Sequence, residues 1–279
     1  MRNRTLAVVF TLPLVLFLAT AGSASAQQYQ PTVGQEGKDV VWVPTPEELV
    51  QAMLDLAKVG STDYVIDLGS GDGRIVIAAA KRGARALGIE YNPDMVELSK
   101  GNAANEGVSD RANFMCADIF ETDFSRATVL TLYLLPDLNI KLRPKILDLK
   151  PGTRVVSHAF SMGDWEADQT VSIEERTAFL WIVPAKVAGT WTWNTASGGA
   201  QLTLRQTYQK VEGELKIDGR GLPLKTVKLE GDEISVTAGG SGPVMWEYAG
   251  HANGNSIDGT AKLNGQPGVK WHAERRAAP

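Results

Sequence analysis

The sequence predicts an α/β fold followed by a smaller all-β unit, and three observations carry that prediction. Apolar runs alternate with helical stretches from Tyr64 to Ala159; the run Val-Ile-Asp-Leu-Gly-Ser-Gly-Asp-Gly at 65–73 passes from strand straight into a glycine-rich turn; and after Pro184 the pattern changes to short alternating runs separated by Gly, Asn and Asp. Strand–helix alternation means a parallel sheet with helices on both faces. Short alternating strands joined by tight turns mean an antiparallel barrel or sandwich.

Each element has a local reason. Thr45-Pro46-Glu47-Glu48 reads as a helix start, with a capping hydroxyl, a proline in the first turn and acids near the positive end of the dipole. Leu49, Val50, Met53, Leu54 and Ala57 then form an apolar stripe. Strands are predicted at 64–68, 85–90, 112–115, 128–133 and 154–159, and helices at 74–81, 93–105 and 136–149. Asn92-Pro93 caps the second of these helices, and Leu138, Leu142, Ile146 and Leu149 give the third its buried face. Two further strands, 170–175 and 176–183, have no helix between them and are expected antiparallel. Beyond Pro184, strands are read at 188–193, 201–208, 211–217, 226–229, 233–237, 244–249, 256–263 and 269–274, with turns such as Gly219-Arg220-Gly221, Gly231-Asp232 and Asn264-Gly265.

A chain of 279 residues accommodates one large domain or two smaller ones. Its formal charge of −4 provides no basic field, so no nucleic-acid partner is expected. The single cysteine, Cys116, excludes an internal disulfide framework and a cysteine-based zinc site, and it is read as buried packing. Arg2 and Arg4 precede an apolar run at 6–19, and Ala24-Ser25-Ala26 stands before Gln27, which is a secretory signal pattern. A mitochondrial presequence is the competing reading, but a continuous apolar run lacks the amphipathic pattern of such sequences. An uncleaved anchor stays open. The expected division is a signal peptide at 1–26, a linker at 27–40, an α/β domain at 41–184 and an all-β domain at 185–279. The expected location is exported (periplasmic or secreted) or membrane-anchored, with membrane association only through an uncleaved N-terminal segment.

Asp67 ends the first predicted strand, Glu90 ends the second, and Asp118 follows the third. All three fall on the carboxyl edge, where open α/β sheets bind ligands. Gly69, Gly71 and Gly73, with Ser70 between the first two, let the backbone bend and approach a ligand without Cβ interference. S-adenosylmethionine (SAM) matches this set, because it carries a sulfonium and an ammonium against one carboxylate. The segment 69–73 would lie along its methionyl part and ribose. Asp67 would meet the ammonium, Glu90 would accept from both ribose hydroxyls, and Asp118, beside Ile119, would take the adenine amino group. Thr45, in the segment 43–45, would fold over the cofactor. A surface acid ending a strand is commonly just solvated, so the conjunction carries the reading rather than any one residue. The rival ligand is a nicotinamide or flavin dinucleotide, whose fingerprint requires glycine where this chain has Arg74.

Five stretches carry a family resemblance: Val43-Pro44-Thr45-Pro46, Asp67-Leu68-Gly69-Ser70-Gly71-Asp72-Gly73-Arg74, Gly88-Ile89-Glu90-Tyr91-Asn92-Pro93, Leu132-Tyr133-Leu134-Leu135-Pro136 and Arg154-Val155-Val156-Ser157-His158. Through them, residues 42–183 resemble the mitochondrial lysine methyltransferases of the ATP synthase c subunit and the adenine nucleotide translocase, with their bacterial relatives. The resemblance implies a Rossmann-like, seven-stranded class I methyltransferase sheet, SAM held by Asp67, the glycines, Glu90 and Asp118, and a lysine acceptor. The strands after Pro184 lie outside that pattern.

The acceptor pocket is expected at the end of the fourth strand, around Thr131, Tyr133 and Pro136. Tyr-Leu-Leu-Pro there suits a narrow apolar channel for a long amine better than it suits an amide or base nitrogen. Tyr133 is the candidate for orienting the amine, whose pKa burial would lower. His158 is read either as a base, a wall of the acceptor site, or a satisfied histidine at a strand end. No metal is expected, since a sulfonium is already electrophilic and positioning is the main catalytic need. Trp165 is read as pocket closure or packing, Trp191 and Trp193 as barrel core, and His251 and His272 as lacking any ligand spacing. The expected function is methyl transfer from SAM to a protein lysine or similar amine. The alternatives are a small-molecule methyltransferase and a non-catalytic exported binding protein.

Overall fold

The structure, a computed structural model, describes residues 29–195, 198–240 and 242–276. The expected signal segment lies outside them. Among the described residues, no helix is long and apolar enough to cross a membrane.

Five strands run parallel: β1 (Tyr64–Leu68), β2 (Arg85–Glu90), β3 (Ala112–Cys116), β4 (Val129–Leu132) and β5 (Arg154–His158). Two return antiparallel, β6 (Gln169–Ile173) and β7 (Arg176–Ile182), giving the order β3-β2-β1-β4-β5-β7-β6. The helices are α1 (Glu47–Leu56), α2 (Arg74–Lys81), α3 (Pro93–Asn105) and α4 (Pro136–Ile146). Successive strand residues face opposite ways, which divides the interior into two cores. Val65, Val129 and Val156 join Leu49, Met53, Val76 and Ala79 of α1 and α2 on one face. Ile66, Leu130 and Val155 join Leu142 and Ile146 of α4, with Trp165 and Trp181, on the other. Because β1 and β4 are covered on both faces, they read as unbroken apolar runs.

Two local expectations are corrected. The α4 helix stops at Ile146 rather than Leu149, although Leu149 still buries its side chain after a turn closed by its amide on Ile146 O. Thr45 does not cap α1. Pro46 occupies the cap position without a side-chain bond, and the Thr45 hydroxyl is engaged elsewhere. The Asn92 cap forms as expected, with Oδ1 accepting from Asp94 N at 2.9 Å and Met95 N at 3.4 Å.

The second sheet is antiparallel and contains β8 (Gly189–Thr195), β9 (Gly198–Thr207), β10 (Lys210–Ile217), β11 (Arg220–Leu222), β12 (Leu224–Glu230), β13 (Glu233–Gly239), β14 (Met245–Asn253), β15 (Ser256–Leu263) and β16 (Val269–Arg275). Its order is β11-β10-β9-β8-β16-β15-β14-β13-β12, and β12 returns against β10, so the sheet nearly closes into a barrel. In the stretch Gly219-Arg220-Gly221, read as a turn, Arg220 and Gly221 are strand. The turn is Asp218-Gly219, both with positive φ (51° and 79°), and Arg220 pairs with Ile217. Asp-Gly at positive φ is the pair a two-residue hairpin loop selects.

The barrel is fastened through aromatic and backbone contacts. Trp165 is fully buried, donates Nε1–H to Gln209 at 3.0 Å and stacks on Tyr208, while Trp181 donates to Trp165 O at 2.8 Å. Gly231 sits so close to Gly152 that a Cβ would come within 3.0 Å of its backbone.

Candidate cofactor and acceptor cleft

Chain order reverses at β1, which has β2 on one side and β4 on the other. Such a switch point leaves a crevice beyond the carboxyl ends of the strands. A cleft of about 590 Å³ occupies that place. Asp67, Gly69, Ser70, Gly71, Glu90, Asp118, Ile119, Thr45 and Tyr133 all line it. Gly73 does not. It turns the chain into α2 at φ 82°, packed so tightly on Phe114 and Ser99 that a Cβ would lie 2.8–2.9 Å from them. It supports the loop from below.

Asp67 is buried and accepts from Thr131 Oγ1 at 2.7 Å. Burial pushes its carboxyl up to about 7 against the Thr131 bond, and the nearby Glu90 and Asp72 charges add to the rise. The Glu90 carboxylate accepts from Gly71 N at 3.0 Å and Asn92 N at 2.9 Å, tying the glycine loop to the end of β2. Ser70 Oγ is buried with no hydrogen-bond partner among the described residues. Gly69 (φ 78°) and Gly71 (φ 53°) are both required: an added Cβ would lie 3.1 Å from Leu134 Cδ2 and 2.7 Å from Trp42 Nε1 respectively.

The stretch 29–45, most of it read as linker, folds back as a strap. Gly34 N donates to Trp42 O at 2.8 Å and Trp42 N to Gln35 O at 2.9 Å, and residues 35–45 line the cleft. Two cations fasten the strap. Lys38 pairs with Asp118 and lies 4.9 Å from the Tyr91 ring, and this pairing, with the Phe120 amide, holds the Asp118 carboxyl below its ordinary range. The Arg74 guanidinium forks onto Asp72 and donates to Thr45 O at 2.7 Å. Arg74 therefore fills the position of a third dinucleotide glycine with a bond that reaches the strap.

At the other end of the cleft the lining turns apolar: Pro44, Leu134, Leu135, Leu138, Tyr133 and Phe160. His158 lies behind this wall rather than in it. It is buried, its ring centroid is 3.8 Å from that of Tyr133, and its Nδ1 meets Thr45 Oγ1 at 3.0 Å. Burial and the Arg176 charge push its pKa down to about 4, so the ring is neutral at physiological pH. That environment makes the ring a weak base and a support for Tyr133 and Thr45 from behind.

Cys116, expected to be buried, is exposed and donates to Tyr91 O at 3.3 Å. β3 is an edge strand, and the end of an edge strand has one side open to solvent. Trp165 packs at the barrel joint and does not line the cleft. Sequence reasoning missed Trp42, Lys38 and Phe160. None carries a local signal, because tertiary closure brings each to the cleft. Among the described residues, no cluster of three His, Cys, Asp or Glu side chains is arranged to hold a metal.

The donor set fits a cationic nucleoside. Six carboxylates line the cleft at Glu36, Asp39, Asp67, Asp72, Glu90 and Asp118 against only Lys38 and Arg74, and the loop has an unpartnered buried hydroxyl at Ser70. Comparisons with known proteins agree. Residues 67–169 match the ANTKMT methyltransferase domain family, a stretch that ends before the barrel begins. A protein-lysine N-methyltransferase of Saccharolobus islandicus is 42% identical over 151 residues, which cover 52% of this chain and 94% of that protein. The Xenopus laevis lysine N-methyltransferase of the ATP synthase c subunit is 36% identical over 128 residues, which cover 46% of this chain and 56% of that protein. The crystal structure of an RNA methyltransferase from Salinibacter ruber in complex with S-adenosyl-L-homocysteine is 52% identical, covers 52% of this chain and 96% of that one, and superposes with a TM-score of 0.51. With its switch-point cleft, its acid set and the Saccharolobus protein-lysine N-methyltransferase matched over nearly its whole length, the chain belongs to the SAM-dependent protein-lysine N-methyltransferase family.

Proposed function

We propose that this enzyme transfers a methyl group from SAM to a lysine amine of a protein. The observation that carries this reading is Asp67, a buried carboxylate facing the cleft whose charged neighbours, Glu90 and Asp72, are both negative. Such a group is stabilised by an arriving cation. On this reading Asp67 meets the cofactor ammonium, Glu90 the ribose, Asp118 the adenine, and Gly69, Ser70 and Gly71 lie along the nucleoside and methionyl parts. When bound, the sulfonium supplies an electrophilic methyl group. The chain's own task is to hold an amine nitrogen in line and keep water away. The wall of Tyr133, Leu134 and Phe160 carries no carboxylate that would hold the amine protonated.

The Salinibacter protein's name supports a second reading, an RNA acceptor. An acidic cleft repels a polyanion, and that favours the protein acceptor. Calorimetric titration with SAM and with NAD, repeated on Glu90→Ala, tests the cofactor assignment. Mass spectrometry of lysine peptides, a small alkylamine and RNA incubated with SAM then separates the acceptors. Methylation of RNA alone would overturn the lysine reading. Arg2, Arg4, the apolar run at 6–19 and Ala24-Ser25-Ala26 support export, which cell fractionation tests.

A further inference from the structure

Phe160 reaches the cleft from a strained turn. Ala159, a non-glycine residue, has φ 64°, and the Phe160 amide donates to His158 O at 2.8 Å across it, closing a γ-turn. With positive φ this turn is rare and strained, and it persists only where surrounding bonds overdetermine it. Here they do. Ala159 N donates to Thr177 O at 2.7 Å, and Asn139 Nδ2 reaches Ser157 Oγ at 3.2 Å, Phe160 O at 3.2 Å and Ser161 O at 3.3 Å. Asn139 is fully buried on α4, and its Oδ1 has no hydrogen-bond partner among the described residues. A buried amide with an unsatisfied carbonyl calls for an explanation, and the turn it holds provides one.

The result of that strain is an aromatic wall. The Phe160 and Tyr133 rings are inclined by only 22° with centroids 6.2 Å apart, both line the cleft, and Leu134, Leu135 and Leu138 complete this end without a charge. A carboxylate here would hold an acceptor nitrogen protonated and unreactive. An aromatic face attracts the ammonium and packs equally against the alkyl stem of the neutral amine. We propose that Phe160 is an acceptor-binding residue gripping the alkylamine side chain, and that Asn139 is the positioning residue that holds it in the strained turn. The proposal rests on the amine-acceptor reading given above.

The test uses the full chain saturated with S-adenosylhomocysteine and butylamine as a bare lysine side chain, followed through the aromatic proton resonances of Tyr133 and Phe160. Saturable shifts of both rings are expected. Phe160→Leu should weaken butylamine about fivefold, the worth of one aromatic–cation contact, with S-adenosylhomocysteine affinity kept. Asn139→Leu should weaken it similarly, and adding Ala159→Gly, which removes the penalty for positive φ, should restore much of the loss. Asn139→Ser in the same two backgrounds answers the question if the leucine variant does not fold. Undiminished butylamine binding in Phe160→Leu would overturn the Phe160 assignment, and absence of rescue by Ala159→Gly would overturn the role of Asn139. Failure of the wild type to load S-adenosylhomocysteine would instead sink the cofactor reading itself.

Discussion

The two sheets hide different things. In the parallel sheet and its helices the buried residues include Asp63, Asp67, Ser70, Thr131, Asn139, Ser157 and His158. The barrel's buried positions hold aliphatic and aromatic side chains, with Trp191, Tyr248 and Trp271 at the centre. Burying polar groups is expensive unless they are paired, and a folded chain tolerates that expense where the groups have work to do. The difference locates the chemistry: among the described residues, every buried carboxylate, side-chain amide, imidazole and aliphatic hydroxyl belongs to the first sheet and its connections, Asp67, Ser70, Thr131, Ser157 and His158 among them, while the barrel supplies packing.

Mutations break the comparison most sharply at its apolar side. Trp191→Ala should cost about 3–5 kcal/mol by emptying the barrel core. Denaturant unfolding should show that loss, while calorimetric SAM affinity of the folded fraction stays at the wild-type value. Weakened SAM binding at full folding would mean that the barrel shapes the cleft. Glu90→Ala should do the reverse. It removes the acceptor of the Gly71 and Asn92 amides as well as the carboxylate proposed to hold the ribose, and SAM affinity should fall by about 100-fold or more, with a smaller loss of stability.

Asp67 supplies the third effect. Its carboxyl titrates near 7 in the fold against 3.8 ordinarily, so between those values the folded chain keeps a proton that the unfolded chain has released. Raising the pH through this window therefore destabilises the ligand-free protein. With Asp67 proposed to meet the SAM ammonium in its ionised form, affinity should climb as pH rises to about 7 and level off above it. Asp67→Asn should flatten both profiles and stabilise the ligand-free protein at pH 8 on the order of 2 kcal/mol, while weakening SAM. A thermal melt series against pH, with and without SAM, reads both slopes. A ligand-free stability that does not decline between pH 4 and 7 would show that Asp67 is not held protonated.

Legibility in the sequence follows the range of the forces involved. β1, β2, α2 and α3 appear with the bounds their apolar patterns predict, because local period and capping set them. Asp67, Glu90 and Asp118 are readable because strand ends are local events, and the topology then gathers them on one edge. Thr45 looks like a cap in its local setting, but its hydroxyl has a partner, His158, that lies far along the chain. Cys116 looks buried in its apolar strand, but strand order, which no local pattern encodes, makes β3 an edge. Phe160 and Asn139 give no local signal for the same reason: the bonds that hold the γ-turn join residues of α4 and of the segment after β5.

The smallest expected effect tests the strap. Lys38 pairs with the carboxylate assigned to adenine, so cofactor entry competes with that pair for Asp118. Exposed ion pairs contribute little, so Lys38→Met should tighten SAM binding by at most about fivefold. Removing a cation from the path of a cationic cofactor acts in the same direction. Both contributions are screened, so the gap between Lys38→Met and wild type should narrow as salt rises towards about 1 M, where the Debye length shrinks to about 3 Å. Calorimetry at two ionic strengths measures that gap. A variant that binds SAM more weakly than wild type at both would show that Lys38 holds the strap closed over the cofactor and does not compete with it.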